Sequence, residues 1–151
     1  MGSMVSVFID GLIGFVLARK DRKDKRKWTE LGISAIQSLK KWIKSSAWNF
    51  SNKLHLLEAE FYFLLGDDKK AENSYHASIE AAHKHRFFHE EGLAEEKIAT
   101  YFLQKGKNDD AVRHFANAKK WYKVWGAQIL VERIDNTIRV LQPLCEGQSE
   151  V

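Results

Sequence analysis

The chain repeats itself at a fixed offset, the step that carries Gly66 onto Gly106. Leu65-Gly66-Asp67-Asp68-Lys69-Lys70-Ala71 answers to Lys105-Gly106-Lys107-Asn108-Asp109-Asp110-Ala111, and Ala59 and Tyr75 answer to Ala99 and Phe115. Each copy reads as helix, tight turn, helix. Aromatic and aliphatic residues lead into a glycine, a short polar turn follows, and a second helix opens on alanine with an aromatic four residues further on. A fixed period in this range marks stacked helical hairpins, each hiding its neighbour's apolar side. This constrains architecture far more than activity.

The rest of the chain fits around those two copies. Val5 to Leu17 is apolar but broken by Asp10, Gly11 and Gly14, and it is too short to span a bilayer. It reads as a buried helix whose glycines permit close approach. A long amphipathic helix begins at Trp28-Thr29-Glu30-Leu31 and ends near Ser45-Ser46, with Leu31, Ala35, Leu39, Trp42 and Ile43 at helical spacing. Ala35 and Leu39 precede Tyr75 and Ile79 by the same offset, so the first two helices read as a degenerate earlier copy. Asn49-Phe50-Ser51-Asn52 reads as the capping cluster that opens the first clear copy. Its first helix is apolar nearly all round, as an inner helix must be, and Gly66 is expected to close it in the left-handed conformation. Gly126 turns the chain into a last amphipathic helix with a polar outer side, the form of a cap that ends an array. The expected organisation is an expression scar at 1–3, one helical-repeat domain at 4–142, and a flexible tail at 143–151.

Charge and cysteine content narrow the function classes. The 151 residues carry a net charge of +4, but Arg19, Lys20, Arg22, Lys23, Lys25, Arg26 and Lys27 against Asp21 and Asp24 give +5 locally, leaving −1 elsewhere. The basic character reads as one linker, which counts against a nucleic-acid partner. A single cysteine, Cys145, cannot pair within the chain, and this fits a cytoplasmic location.

The repeat is similar to tetratricopeptide-like hairpins, although its period is longer and the closing proline of the standard unit is missing. It more closely resembles the helical-repeat segment that ends the ATPase-type regulatory region of multi-sensor signalling kinases, histidine or serine/threonine, a region related to MalT-like regulators. The residues that carry the resemblance run from Trp42, Asn49-Phe50 and Leu57-Glu58-Ala59-Glu60 through Gly66-Asp67, Ala71, Tyr75, Ile79, Ala82 and Phe87. They continue with Glu90-Glu91, Leu93-Ala94, Glu96, Phe102-Leu103, Gly106, Ala111, Phe115, Ala118, Tyr122 and Trp125-Gly126-Ala127. Leu130 departs from the pattern, where the family has a basic residue. The tail of soluble adenylyl cyclases carries similar repeats, and the resemblance makes it an alternative candidate for the parent protein. The resemblance implies an all-α, right-handed α-α superhelix of about three hairpins plus a C-terminal capping helix, serving as a non-enzymatic sensor or adaptor within a larger protein.

Each candidate for chemistry has a plainer reading. His85 and His89 have the i,i+4 spacing of a zinc pair, but the repeat register puts a turn at Arg86–Phe88, between them. Glu58, Glu60, Glu95 and Glu96 could be paired acids, yet acids on the first helix of a repeat are far more often salt-bridge or groove residues. Trp121 and Trp125 could stack a base or a proline-rich peptide, but their spacing favours packing against the last helix. No enzyme, metal or cofactor is therefore expected. The expected partner is a protein, a peptide or a sibling domain, held in a groove through His55, Tyr62, Glu95 and Glu96. The Val5–Leu17 helix is a candidate for homodimer contact, and the alternative function is nucleic-acid or acidic-membrane binding through 19–27.

Overall fold

The computed structural model describes residues 3–148, and its described residues are all-α. Seven helices follow one another among them: α1 (Met4–Lys20), α2 (Lys25–Ile43), α3 (Ala47–Leu65), α4 (Asp68–Lys84), α5 (Phe88–Gln104), α6 (Asn108–Trp125) and α7 (Gln128–Gln148). They pair as consecutive hairpins, the arrangement of a helical-repeat protein. The chain divides into two compact units, Met1–Ala81 and Ala82–Val151.

In the first unit, α1 and α2 come together over their glycines. A Cβ on Gly11 would stand 2.6 Å from the Ala35 Cβ, and one on Gly14 would stand 2.7 Å from the Trp28 carbonyl oxygen. Both small residues thus permit the close approach expected of them. Phe15, Leu39 and Leu57 are fully buried in the core that α1, α2 and α3 share. α3 also packs against α4, where the Ser78 hydroxyl donates to the Asn52 carbonyl at 2.7 Å. In the second unit, α5 and α6 form a hairpin around Ala94, Ile98, Tyr101, Ala111, Phe115 and Ala118. α7 covers α6 through Val131 and Ile134.

The corners repeat more finely than the sequence suggests. Gly66, Arg86, Gly106 and Gly126 have φ of 81°, 58°, 76° and 87°, and their numbers show them evenly spaced, at half the offset between copies. After each, the next amide closes back on a carbonyl five residues earlier: Asp67 to Tyr62, Phe87 to Ala82, Lys107 to Phe102 and Ala127 to Tyr122, at 2.9–3.0 Å. This bond satisfies a carbonyl that the helix end leaves orphaned. Four residues further on, Ala71, Glu91, Ala111 and Val131 are all buried. The structural brick is therefore one helix and one corner, and two such bricks make each copy seen in the sequence. The earlier corners lack it, since Asp21 is extended and Lys44 is right-handed.

Three boundaries differ from expectation. α3 begins at Ala47, so Asn49-Phe50-Ser51-Asn52 lies inside it. Asn49 instead donates its side-chain amide to the Ser46 hydroxyl at 2.7 Å, a bond made back toward the cap from within the first turn. α2 begins at Lys25, three residues before Trp28. α7 continues past Pro143 to Gln148, so helix covers most of the stretch expected to be a tail; a proline costs a helix one donor and a steric clash without always ending it. Residues 1, 2 and 149–151, parts of the expected scar and tail, lie outside the described residues.

Candidate binding grooves

His55, Glu58 and Tyr62 are three and four residues apart, so they share one side of α3. With Lys70, Asn73, Ser74 and Ala77 of α4 they line an open cavity of about 340 Å³. The Lys70 ammonium stands 5.5 Å from the Tyr62 ring centroid and 3.8 Å from Asp67. The cavity thus offers an aromatic face, an imidazole, a carboxylate and short polar side chains.

The internal repeat explains why this cavity is open. Ser74 and Ala77 stand where the second copy has His114 and Asn117, and His55 stands where it has Glu95. In the second copy those residues fill the equivalent space. His114 donates through Nδ1 to Glu95 Oε2 at 2.6 Å, and the Asn117 amide reaches Glu95 Oε1 at 3.5 Å. Phe102, the counterpart of Tyr62, stacks on His114 at 5.4 Å.

Of the four groove residues expected from sequence, His55 and Tyr62 therefore meet in one cavity. Glu95 is 5% exposed and bonded inside the α5/α6 hairpin. Glu96 lies at a different cavity of about 370 Å³, with Leu93, Thr100, Leu130 and Arg133. There it accepts from the Tyr122 hydroxyl at 2.8 Å and from Arg133 at 2.6 Å. Burial, with the Glu96 charge beside it, pushes the Tyr122 hydroxyl up. Lys70, Asn73, Ser74 and Ala77 were not anticipated; comparing the two copies position by position reveals Ser74 and Ala77 as the places where bulk is lost.

The basic run does not form one linker. Only Asp21–Asp24 lies between helices, while Arg19 and Lys20 belong to α1 and Lys25, Arg26 and Lys27 to α2. Arg19 points inward, ion-paired with Glu60 and stacked 4.2 Å from the Phe63 centroid. Lys27 lies over the Trp28 ring, and Arg26 pairs with Glu30 at 3.0 Å. Lys20, Arg22, Lys23 and Lys25 are exposed.

The aromatic and histidine residues after α4 sit differently from expectation. The turn at 85–87 separates His85 from His89, as the register indicated. His83 reaches both oxygens of Glu91 at 3.2 Å; burial lifts the Glu91 carboxyl above its ordinary value, and His83 opposes that shift. Trp121 packs on Phe88 at 5.4 Å and on His83 at 5.8 Å, at the α4–α5 corner. Tyr122 takes the inward position, and each helical residue is turned by about 100° from the last, which swings Trp121 to the flank. Trp125, 56% exposed, lies 5.1 Å from His89.

Comparisons with protein-family models, with curated proteins and with solved structures give no match for this chain. No described helix is long and apolar enough to cross a membrane.

Proposed function

We propose that this chain is a non-enzymatic interaction module, a helical-repeat segment of a larger cytoplasmic signalling protein of the kind it resembles. The α3/α4 groove holds an extended stretch of a partner protein or of a sibling domain. The observation that carries this reading is the contrast between copies: one fold builds the same hairpin twice, seals it with Glu95, His114 and Asn117, and leaves it open at His55, Ser74 and Ala77. Packing alone would favour the sealed form, because an unfilled concavity forfeits contacts. The open one is the form a ligand would use.

The two copies also supply the test. His55→Glu with Ser74→His and Ala77→Asn transplants the three sealing residues into the open hairpin. A peptide selected from a displayed library against the parent chain should bind at Tyr62 and Lys70 in amide chemical-shift mapping. It should lose at least tenfold in affinity to the sealed variant, whose helix content stays the same. A selected peptide that binds the sealed variant equally well, or that shifts resonances elsewhere, removes the groove from the account.

A further inference from the structure

Glu58 stands where the second copy has Ile98, which is fully buried in the α5/α6 hairpin. The same hairpin can therefore fill this position with an aliphatic side chain. In the first copy it holds a half-buried carboxylate that lines the α3/α4 groove. Among the described residues Glu58 makes no hydrogen bond or ion pair, and neither does His55, one turn before it. Lys70, the cation of this groove, is held 3.8 Å from Asp67 instead. A carboxylate drawn partly out of water without a partner works against folding, so packing does not account for it. Glu58 and Tyr62 are four residues apart, which sets carboxylate and ring side by side along α3. Asn73 and Ser74 line the same groove from α4 and add an amide oxygen and a hydroxyl.

We infer that the groove takes an arginine side chain of the partner, its guanidinium paired with Glu58 and laid against the Tyr62 ring. This rests on the reading of the groove as a binding site and names what enters it. A guanidinium carries five N–H donors in one plane and no acceptor, so it needs a site rich in acceptors. The groove supplies the two Glu58 oxygens, the Asn73 amide oxygen and the Ser74 hydroxyl. The flat guanidinium also stacks on a ring, whereas a lysine ammonium meets the carboxylate as a point charge and gains less from Tyr62. An acidic or phosphorylated segment would bring like charge to Glu58, and a wholly apolar one would bury that charge uncompensated. The second copy has no such site: Ile98 replaces the carboxylate, and His114 fills the space against Phe102.

The test titrates the full chain, followed by amide chemical shifts at low salt, with a short acetylated and amidated peptide of glycine and serine around one central arginine. Two further peptides replace the arginine by lysine and by citrulline, which keeps the shape and loses the charge. The arginine peptide should shift resonances around Glu58, Tyr62 and Ser74 saturably. The lysine peptide should bind roughly threefold more weakly and the citrulline peptide at least about tenfold more weakly. Glu58→Gln should weaken the arginine peptide about tenfold, and Tyr62→Ala roughly threefold. Glu58→Ile, which installs the second copy's side chain, should abolish binding and raise the urea midpoint, because packing replaces an unpartnered charge. The inference is overturned if citrulline binds as tightly as arginine, if Glu58→Gln binds like the parent, if Glu58→Ile lowers the midpoint, or if the arginine peptide moves no groove resonance. Library-selected peptides that occupy the groove without a basic residue would overturn the arginine pocket alone and leave the groove standing as a binding site.

Discussion

Arg86 occupies a backbone conformation that glycine holds at the three matching corners. A side chain in that left-handed region costs about 1–2 kcal/mol, and the bonds from Arg86 to His83 and from Phe87 to Ala82 hold it there. Arg86→Gly should therefore raise stability by about 1 kcal/mol, and Gly106→Ala should lower it by about as much. A Cβ on Gly106 would meet nothing within 4 Å, so the second change reads backbone strain alone. Urea midpoints measure both; a destabilised Arg86→Gly would mean that the arginine side chain holds the corner. The glycines at 66, 106 and 126 were legible because their residue type announces the turn. Arg86 was not, since nothing in an arginine announces a positive φ, and so the single-helix beat read as one twice as long.

Among the helices, hydrophobic spacing was legible and buried charge was not. Leu57, Ala59, Ala71, Tyr75, Ala111 and Phe115 all lie in the core, as helical periodicity requires. Arg19 and Glu60 are far apart in the chain, as are Glu95 and His114; only the folded hairpins bring each pair together. By residue type alone each belongs on a solvated surface, which is how Arg19 came to be grouped with a linker and Glu95 with a groove. Glu60 is 1% exposed, so removing its partner leaves a charge deprived of its main compensation. Arg19→Ala should cost about 3 kcal/mol, whereas Lys23→Ala, on the exposed turn, should stay within about 0.5 kcal/mol. Equal losses at the two positions, read by thermal or urea unfolding, would mean that the Arg19–Glu60 pair contributes nothing to α1–α3 packing.

At the scale of the whole molecule, the hairpin architecture followed from the repeat, while the grooves depended on differences between copies. Repetition reveals what is shared, and Ser74 and Ala77 matter because they are not shared. The outer side of α1 is another surface left open: Val5, Ile9 and Ile13 recur every four residues and are 57%, 41% and 46% exposed. We propose that two chains associate through this apolar stripe. Ile9→Glu with Ile13→Glu should then convert a dimer into a monomer by light scattering at high concentration; a parent chain that is strictly monomeric there contradicts this. Beneath all of these surfaces lies one claim, that a helix and a left-handed corner recur at even spacing through Gly66, Arg86, Gly106 and Gly126. Native-state amide hydrogen exchange at Asp67, Phe87, Lys107 and Ala127 tests it most directly, because each amide lies just past a helix end and still closes back on a carbonyl at 2.9–3.0 Å. All four should exchange far more slowly than open-turn amides; rapid exchange at Phe87 with protection at the other three would break the series at its second corner and contradict the repeat.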